Sequence, residues 1–180
     1  MEVSASGRHI DLASSNMAEL AYATDRLKEE HEQLRNRLRV LETSAKEVML
    51  LNDVAKSLQM IQKLRNETAQ FELELERHSE WEEQRLFPFL LNYFHIQQAP
   101  TIRPSFWVLE KDHQLGVSFI QSFHETMIDT APLGVKKQLT EAASALLQAC
   151  LILNDHFAME EQLILPLTEK VLTDLEYFFS

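Results

Sequence analysis

The stretch His78–Pro88, HSEWEEQRLFP, returns later in the chain as His156–Pro166, HFAMEEQLILP. Both copies read His, three variable residues, Glu-Glu-Gln, three more residues and Pro, in one frame. On a helix, side chains four positions apart share a face at about 6 Å, so His78 with Glu82, and His156 with Glu160, can each donate to one cluster. A single His-x-x-x-Glu pair arises by chance or as a surface ion pair in many helices. Two copies in the same frame, with another helical segment between them, point instead to a metal site inside a helical bundle.

The surrounding sequence supplies the helices. From Met17 to about Val48, Leu20, Leu27, Leu34, Leu38 and Leu41 recur at steps of three, four and seven, the spacing of an amphipathic helix. His31 lies four residues after Leu27 and three before Leu34, on that apolar face. Leu51-Asn52-Asp53 is turn-like, and a second periodic stretch then runs through Phe71, Leu75, His78, Glu82 and Leu86 to about Phe94. The segment from His95 to Pro104 contains Pro100 and Pro104 and reads as a loop; Phe106 to about Asp129 reads as a third helix. Ala131-Pro132-Leu133-Gly134 breaks the chain, and Lys136 to about Leu175 forms a fourth helix, expected to bend near Pro166. The expectation is an all-α fold, an antiparallel up-down four-helix bundle with a metal site in its core.

Distances along the chain bring four histidines to one level. In an antiparallel hairpin, residues at equal height lie at similar distances from the turn. The midpoint between His31 and His78 falls beside Asn52-Asp53, that between His113 and His156 at Gly134, and that between His78 and His113 at the start of the Pro-containing loop. Each histidine comes from a different helix. Leu75 and Trp81 flank His78, and Ile152, Leu153 and Met159 lie close to His156, so these ligands are expected to face inward. Four imidazoles and two carboxylates buried without a cation would cost several kcal/mol.

Composition bounds the rest. With 180 residues, one domain with a full core is expected: a flexible tail over 1–15 and the bundle over 16–180. Three Gly and five Pro suit long helices. A net charge of -11, with 28 acidic against 17 basic residues, argues against nucleic acid and against an anionic membrane surface. The N-terminal residues do not read as a secretory signal and no apolar run reaches transmembrane length, so the cytoplasm is the default location. The one cysteine, Cys150, excludes an intramolecular disulfide and reads as a small buried hydrophobe.

The paired H-x-x-x-E-E motifs followed by Pro resemble the hemerythrin-like, or HHE cation-binding, domains, from about residue 17 onward. The resemblance implies two irons in the middle of the bundle, bridged by Glu82 and Glu160, with His31, His78, His113 and His156 as terminal ligands. Oxygen-carrying hemerythrins have a fifth histidine four residues after the one on the third helix, and an Asp for the last Glu; here that position is Val117. The pattern looks more like the bacterial iron-centre repair proteins, whose small cysteine-bearing N-terminal domain is missing here. Two histidines, two bridging oxygens and a solvent-derived bridge would give each iron about five donors and leave a position open. The implied function is binding or reaction of dioxygen, nitric oxide or peroxide, in sensing, scavenging or iron handling. The alternatives are iron donation to an apo iron-sulfur protein, and a structural or partner-binding bundle filled by manganese or zinc.

Other residues have simpler readings. Gly116, one turn after His113, is read evenly as an opening for a small ligand and as a close helix contact. Glu83 and Glu161 point about 100° away from the proposed bridges, which suits a solvated role or one that orients a ligand. His124 returns to the face of His113 but about 16 Å along the axis, too far to share the cluster. His9 and His95 are expected at the surface. Asp112 or Asp155 could orient an imidazole on a neighbouring helix, and Tyr22 could lie near one end of the cavity or pack in the core. Tyr177-Phe178-Phe179 covers the bundle end or forms a homodimer contact.

Overall fold

The computed structural model describes residues 6–96, 102–126 and 134–179, and among these every element is helical. Helix α1 spans Ser6–Leu50, α2 Val54–Trp81, α3 Phe87–Ile96, α4 Arg103–Glu125 and α5 Val135–Phe179. Glu82–Leu86, between α2 and α3, is a π-helical turn. The long second helix of the sequence reading is therefore broken into three parts, and the break starts at Glu82. Phe87 N–H reaches back five residues to the Glu82 carbonyl, just before Pro88, which has no N–H to offer.

The boundaries follow local chemistry. Asp53 caps α2, its side chain accepting the Lys56 N–H at 3.1 Å. At the other side of this turn Lys136 Nζ donates to the carbonyl of Met49 at 2.9 Å, and also to that of Leu51, closing the C-terminal end of α1. Pro104 lies in the first turn of α4, where its missing N–H costs nothing. Helix α5 starts after Gly134, whose φ of 126° suits glycine.

Several expected boundaries shift. Helix α1 begins at Ser6 rather than near Asn16; of the expected tail, residues 1–5 lie outside the described residues. Most of the loop expected from His95 to Pro104, residues 97–101, lies outside them too, as do 131–133 of the expected break. Helix α4 ends at Glu125, short of Asp129, and Pro166 lies inside α5.

Helix α5 packs most extensively on α1 and α4, and α2 lies against α1. Leu20, Leu27, Leu34, Leu38 and Leu41, the stripe that defined the first helix, are all buried. They divide between two apolar clusters. One gathers Leu34, Leu38, Leu41, Phe71, Leu75, Ile120, Phe123, Leu153 and Phe157. The other gathers Leu20, Leu27, Leu86, Leu90, Phe94, Phe106, Leu109, Ile164 and Val171. The buried polar residues fall where one cluster gives way to the other: His31 between Leu27 and Leu34, His78 and Glu82 of the first repeat between Leu75 and Leu86, His156 and Glu160 of the second between Leu153 and Ile164. A buried polar layer thus lies between two hydrophobic cores.

Candidate metal centre

His31, His78, Glu82 and Glu160 each offer one ligand atom within 4.8 Å of all the others, and all four are buried. His31 Nε2 and His78 Nε2 face each other at 3.0 Å. Glu82 Oε1 lies 2.8 Å from His78 Nε2, and Glu160 Oε2 lies 3.3 Å from His31 Nε2. These close approaches lack hydrogen-bond geometry, since Glu82 Oε1 and both carboxylate oxygens of Glu160 are buried without a hydrogen-bond partner. Their lone pairs converge on common space instead of on donors.

The far nitrogens of the two imidazoles explain the arrangement. His78 Nδ1 meets Glu30 Oε2 at 2.8 Å, and His31 Nδ1 meets Glu161 Oε1 at 3.0 Å. With N–H on each Nδ1 donating to its carboxylate, both Nε2 lone pairs point inward, as in ligated histidines. Two lone pairs at such a distance repel unless a positive charge lies between them. Each carboxylate is itself held by an arginine: Arg26 Nε to Glu30 at 2.7 Å and Arg35 to Glu161 at 2.7 Å. Arg26 is stacked on Trp81, 4.2 Å from its ring.

The electrostatics are those of a cluster that favours positive charge. Burial opposes a charged His78, but Glu30 and Glu82 outweigh it and hold the imidazole up to about 10. His31 is raised in the same way, burial being overcome by Glu160 and Glu82. Glu160 goes up, through burial and the charge of Glu82, while Glu82 goes down because His31 and His78 offset its burial.

The other two predicted ligands stand apart from the tight group. His156 is buried, with Nε2 3.7 Å from Glu160 Oε2, and its Nδ1 has no hydrogen-bond partner. Burial and the neighbouring His113 push it down to about 4. His113 is half-buried, its ring 5.5 Å from that of His156 and within 3.2 Å of Ser79 Oγ. A cleft of about 370 Å³ reaches it, lined also by Ser79, Val117, Glu76, Glu80 and Glu83.

Several side readings are now settled. A Cβ on Gly116 would lie 2.6 Å from Leu153 Cδ2 and 2.7 Å from its Cγ, so this glycine serves close packing of α4 on α5. Tyr22 is 69 % exposed and lines an open cleft with Arg26, Trp81 and Phe89 rather than packing in the core, and Met159, close to His156 along its helix, is exposed as well. His124 pairs with Glu72 at 3.0 Å, and Cys150 is buried, its thiol pushed up to about 12 by burial and Glu42. The side chains of His9, His95 and Phe178 lie outside the described residues. The carboxylates that orient imidazoles are Glu30 and Glu161, not Asp112 or Asp155. Glu30 and Ser79 went unnoticed in the sequence. Each adjoins a motif histidine but serves a histidine on another helix.

A buried donor set of imidazoles and carboxylates with orphaned oxygens fits a divalent metal. Compared with known proteins, residues 22–168 match the family described as the Hemerythrin HHE cation binding domain. No curated protein and no solved structure matches the chain significantly. No helix among the described residues is long and apolar enough to cross a membrane.

Proposed function

The chain belongs to the hemerythrin HHE cation-binding family, and from that premise we propose that it is a non-haem di-iron protein that binds or reacts with dioxygen, nitric oxide or peroxide. The observation that carries the reading is the pair of Nε2 atoms facing each other at 3.0 Å beside unpartnered oxygens of Glu82 and Glu160. Glu82 and Glu160 would hold both metals, with His31 and His78 as further ligands on one side and His113 and His156 on the other. Bound irons would supply one-electron redox chemistry and an open position for a small ligand.

What the chain itself contributes is orientation, charge and exclusion of water. Glu30 and Glu161 fix the tautomers of His78 and His31. The two carboxylates balance cationic charge within the fold, and the apolar clusters above and below leave only His113, of the six candidate ligands, open to water at the cleft beside it. We take the architecture to be an antiparallel up-down bundle. In support, Lys136 meets the end of α1, Cys150 meets Leu38, and Glu161 meets Arg35, so α5 descends as α1 rises. The ligand pattern of four His and two Glu supports a likeness to iron-centre repair proteins, with iron donation as the second reading. A cytoplasmic location and a homodimer through the C-terminal aromatic residues belong to the same proposal.

The test is elemental analysis with the ultraviolet-visible spectrum of anaerobically reduced, iron-reconstituted protein, before and after air. The expected result is two irons per chain, and near-ultraviolet charge-transfer absorption that grows on oxidation and is lost in His78→Ala and Glu160→Ala. Stoichiometric zinc in the purified protein, with no spectral response to iron and air, would overturn it.

A further inference from the structure

The two halves of the site are built unequally. On one side, His31 and His78 are each tied at Nδ1 to a carboxylate, and each carboxylate to an arginine: Arg26 to Glu30 to His78, and Arg35 to Glu161 to His31. Both imidazoles are sealed, at 0 % and 2 % exposure, and of the other pair only His113 differs, since His156 is 3 % exposed. Their Nε2 atoms already converge with oxygens of Glu82 and Glu160. On the other side, among the described residues, the one carboxylate paired with either histidine is the shared Glu160, 3.7 Å from His156 Nε2, and none meets a far ring nitrogen. His113 has only the Ser79 hydroxyl, within reach of both ring nitrogens at 3.2 Å and 3.3 Å, which leaves its orientation undetermined. His156 Nδ1 has no partner. His113 also forms part of a cleft wall that carries Glu72, Glu76, Glu80 and Glu83. A smaller cleft of about 280 Å³ meets His78 and Glu30, but there the imidazole is buried, whereas His113 is only half-buried and is reached past an anionic surface.

Preorganised ligands bind metal more tightly because less orientational freedom is lost on binding. We infer that the centre fills and empties in order: the His31–His78 half takes the first cation and keeps it, and the His113–His156 half takes the second and releases it first, through the cleft beside His113. This rests on the two-metal reading above and deepens it, making Glu30, Glu161, Arg26 and Arg35 positioning residues for the tight subsite. The second metal is then an exchangeable one, a property relevant both to iron handling and to iron donation.

The experiment is an anaerobic cobalt(II) titration of the full chain after metal removal, followed by isothermal calorimetry and visible absorption, with release kinetics under excess chelator. Two steps are expected, separated by tenfold or more in affinity, and release should be biphasic with equal amplitudes. Glu30→Gln and Glu161→Gln should weaken the first step by about 10–100-fold. His113→Ala should abolish the second step and leave the first at its wild-type affinity, whereas His78→Ala should remove the tight step. Glu141→Gln, an exposed carboxylate 3.5 Å from Lys137 near the start of α5, serves as the control, and circular dichroism monitors the fold of every variant. Two equivalent cobalt ions, or a tight step indifferent to Glu30→Gln and Glu161→Gln, would overturn the ordering while sparing the two-metal reading. A stoichiometry of one would overturn both.

Discussion

Replacing Gly116 by alanine sets two effects of opposite sign against each other. In a helix interior the exchange favours folding by about 0.8–1 kcal/mol through backbone entropy. Here the new Cβ would stand 2.6 Å and 2.7 Å from Leu153 Cδ2 and Cγ. Cγ is the branch point of a fully buried side chain, so relief requires moving the leucine or the helix, and overpacking of this kind costs about 1–3 kcal/mol. The net expectation is a loss of about 0–2 kcal/mol. The sharper quantity is the coupling with Leu153. Leu153→Ala alone should cost about 2–5 kcal/mol. In that background the clash is gone, and Gly116→Ala should become stabilising by up to about 1 kcal/mol. Urea denaturation of the four proteins at matched metal content gives the coupling directly, expected at about 1–3 kcal/mol. Equal stabilisation by Gly116→Ala in both backgrounds would refute the contact and return Gly116 to the reading of an opening beside His113.

Four further outcomes follow from the same structure. Asp53→Ala removes the N-cap of α2 from an exposed position and should lower stability by about 0.5–2 kcal/mol with an unchanged m-value. Lys136→Met removes the donor that closes α1 and should cost about 1–2 kcal/mol; a shift in urea midpoint no larger than experimental error would contradict this role. His78 in the metal-free chain holds its proton up to about 10, because Glu30 and Glu82 outweigh burial. A cation must displace that proton, and His31 is raised as well, so cobalt affinity should climb at least about tenfold per pH unit between roughly pH 6 and 8; a flat competition profile would count against it. Metal at a hundredfold excess over its dissociation constant should stabilise the chain by about 2.7 kcal/mol per site, read as a fall in Tm when a chelator is added and its recovery when metal is restored.

The parts of the site that obey a period were legible in the sequence. The leucine stripe of α1 and the His-x-x-x-Glu spacing are properties of one helix, and they brought His31, His78, Glu82 and Glu160 into view before any coordinates. What escaped depended on reach between helices. Glu30 precedes His31 yet bonds to His78, 48 positions away in sequence. Glu161 does point away from the centre, as its place one residue after Glu160 requires, and for that reason it meets Arg35 and the far nitrogen of His31. Helical spacing has no means of distinguishing a carboxylate that faces water from one that faces a neighbour's imidazole. Gly116 was undecidable for a similar cause, because its meaning resides in the atoms of Leu153. The π turn at Glu82–Leu86 was missed as well, although Pro88, which deprives the preceding turn of a donor, was its visible signal.

The most direct measurement is anomalous X-ray diffraction at the iron edge from crystals of the iron-loaded protein. Two peaks are expected within the buried layer, both beside Glu82 and Glu160, one next to His31 and His78 and the other next to His113 and His156, with the first at higher occupancy after brief chelator treatment. No anomalous peak among these side chains, in protein shown by elemental analysis to carry iron, would contradict it.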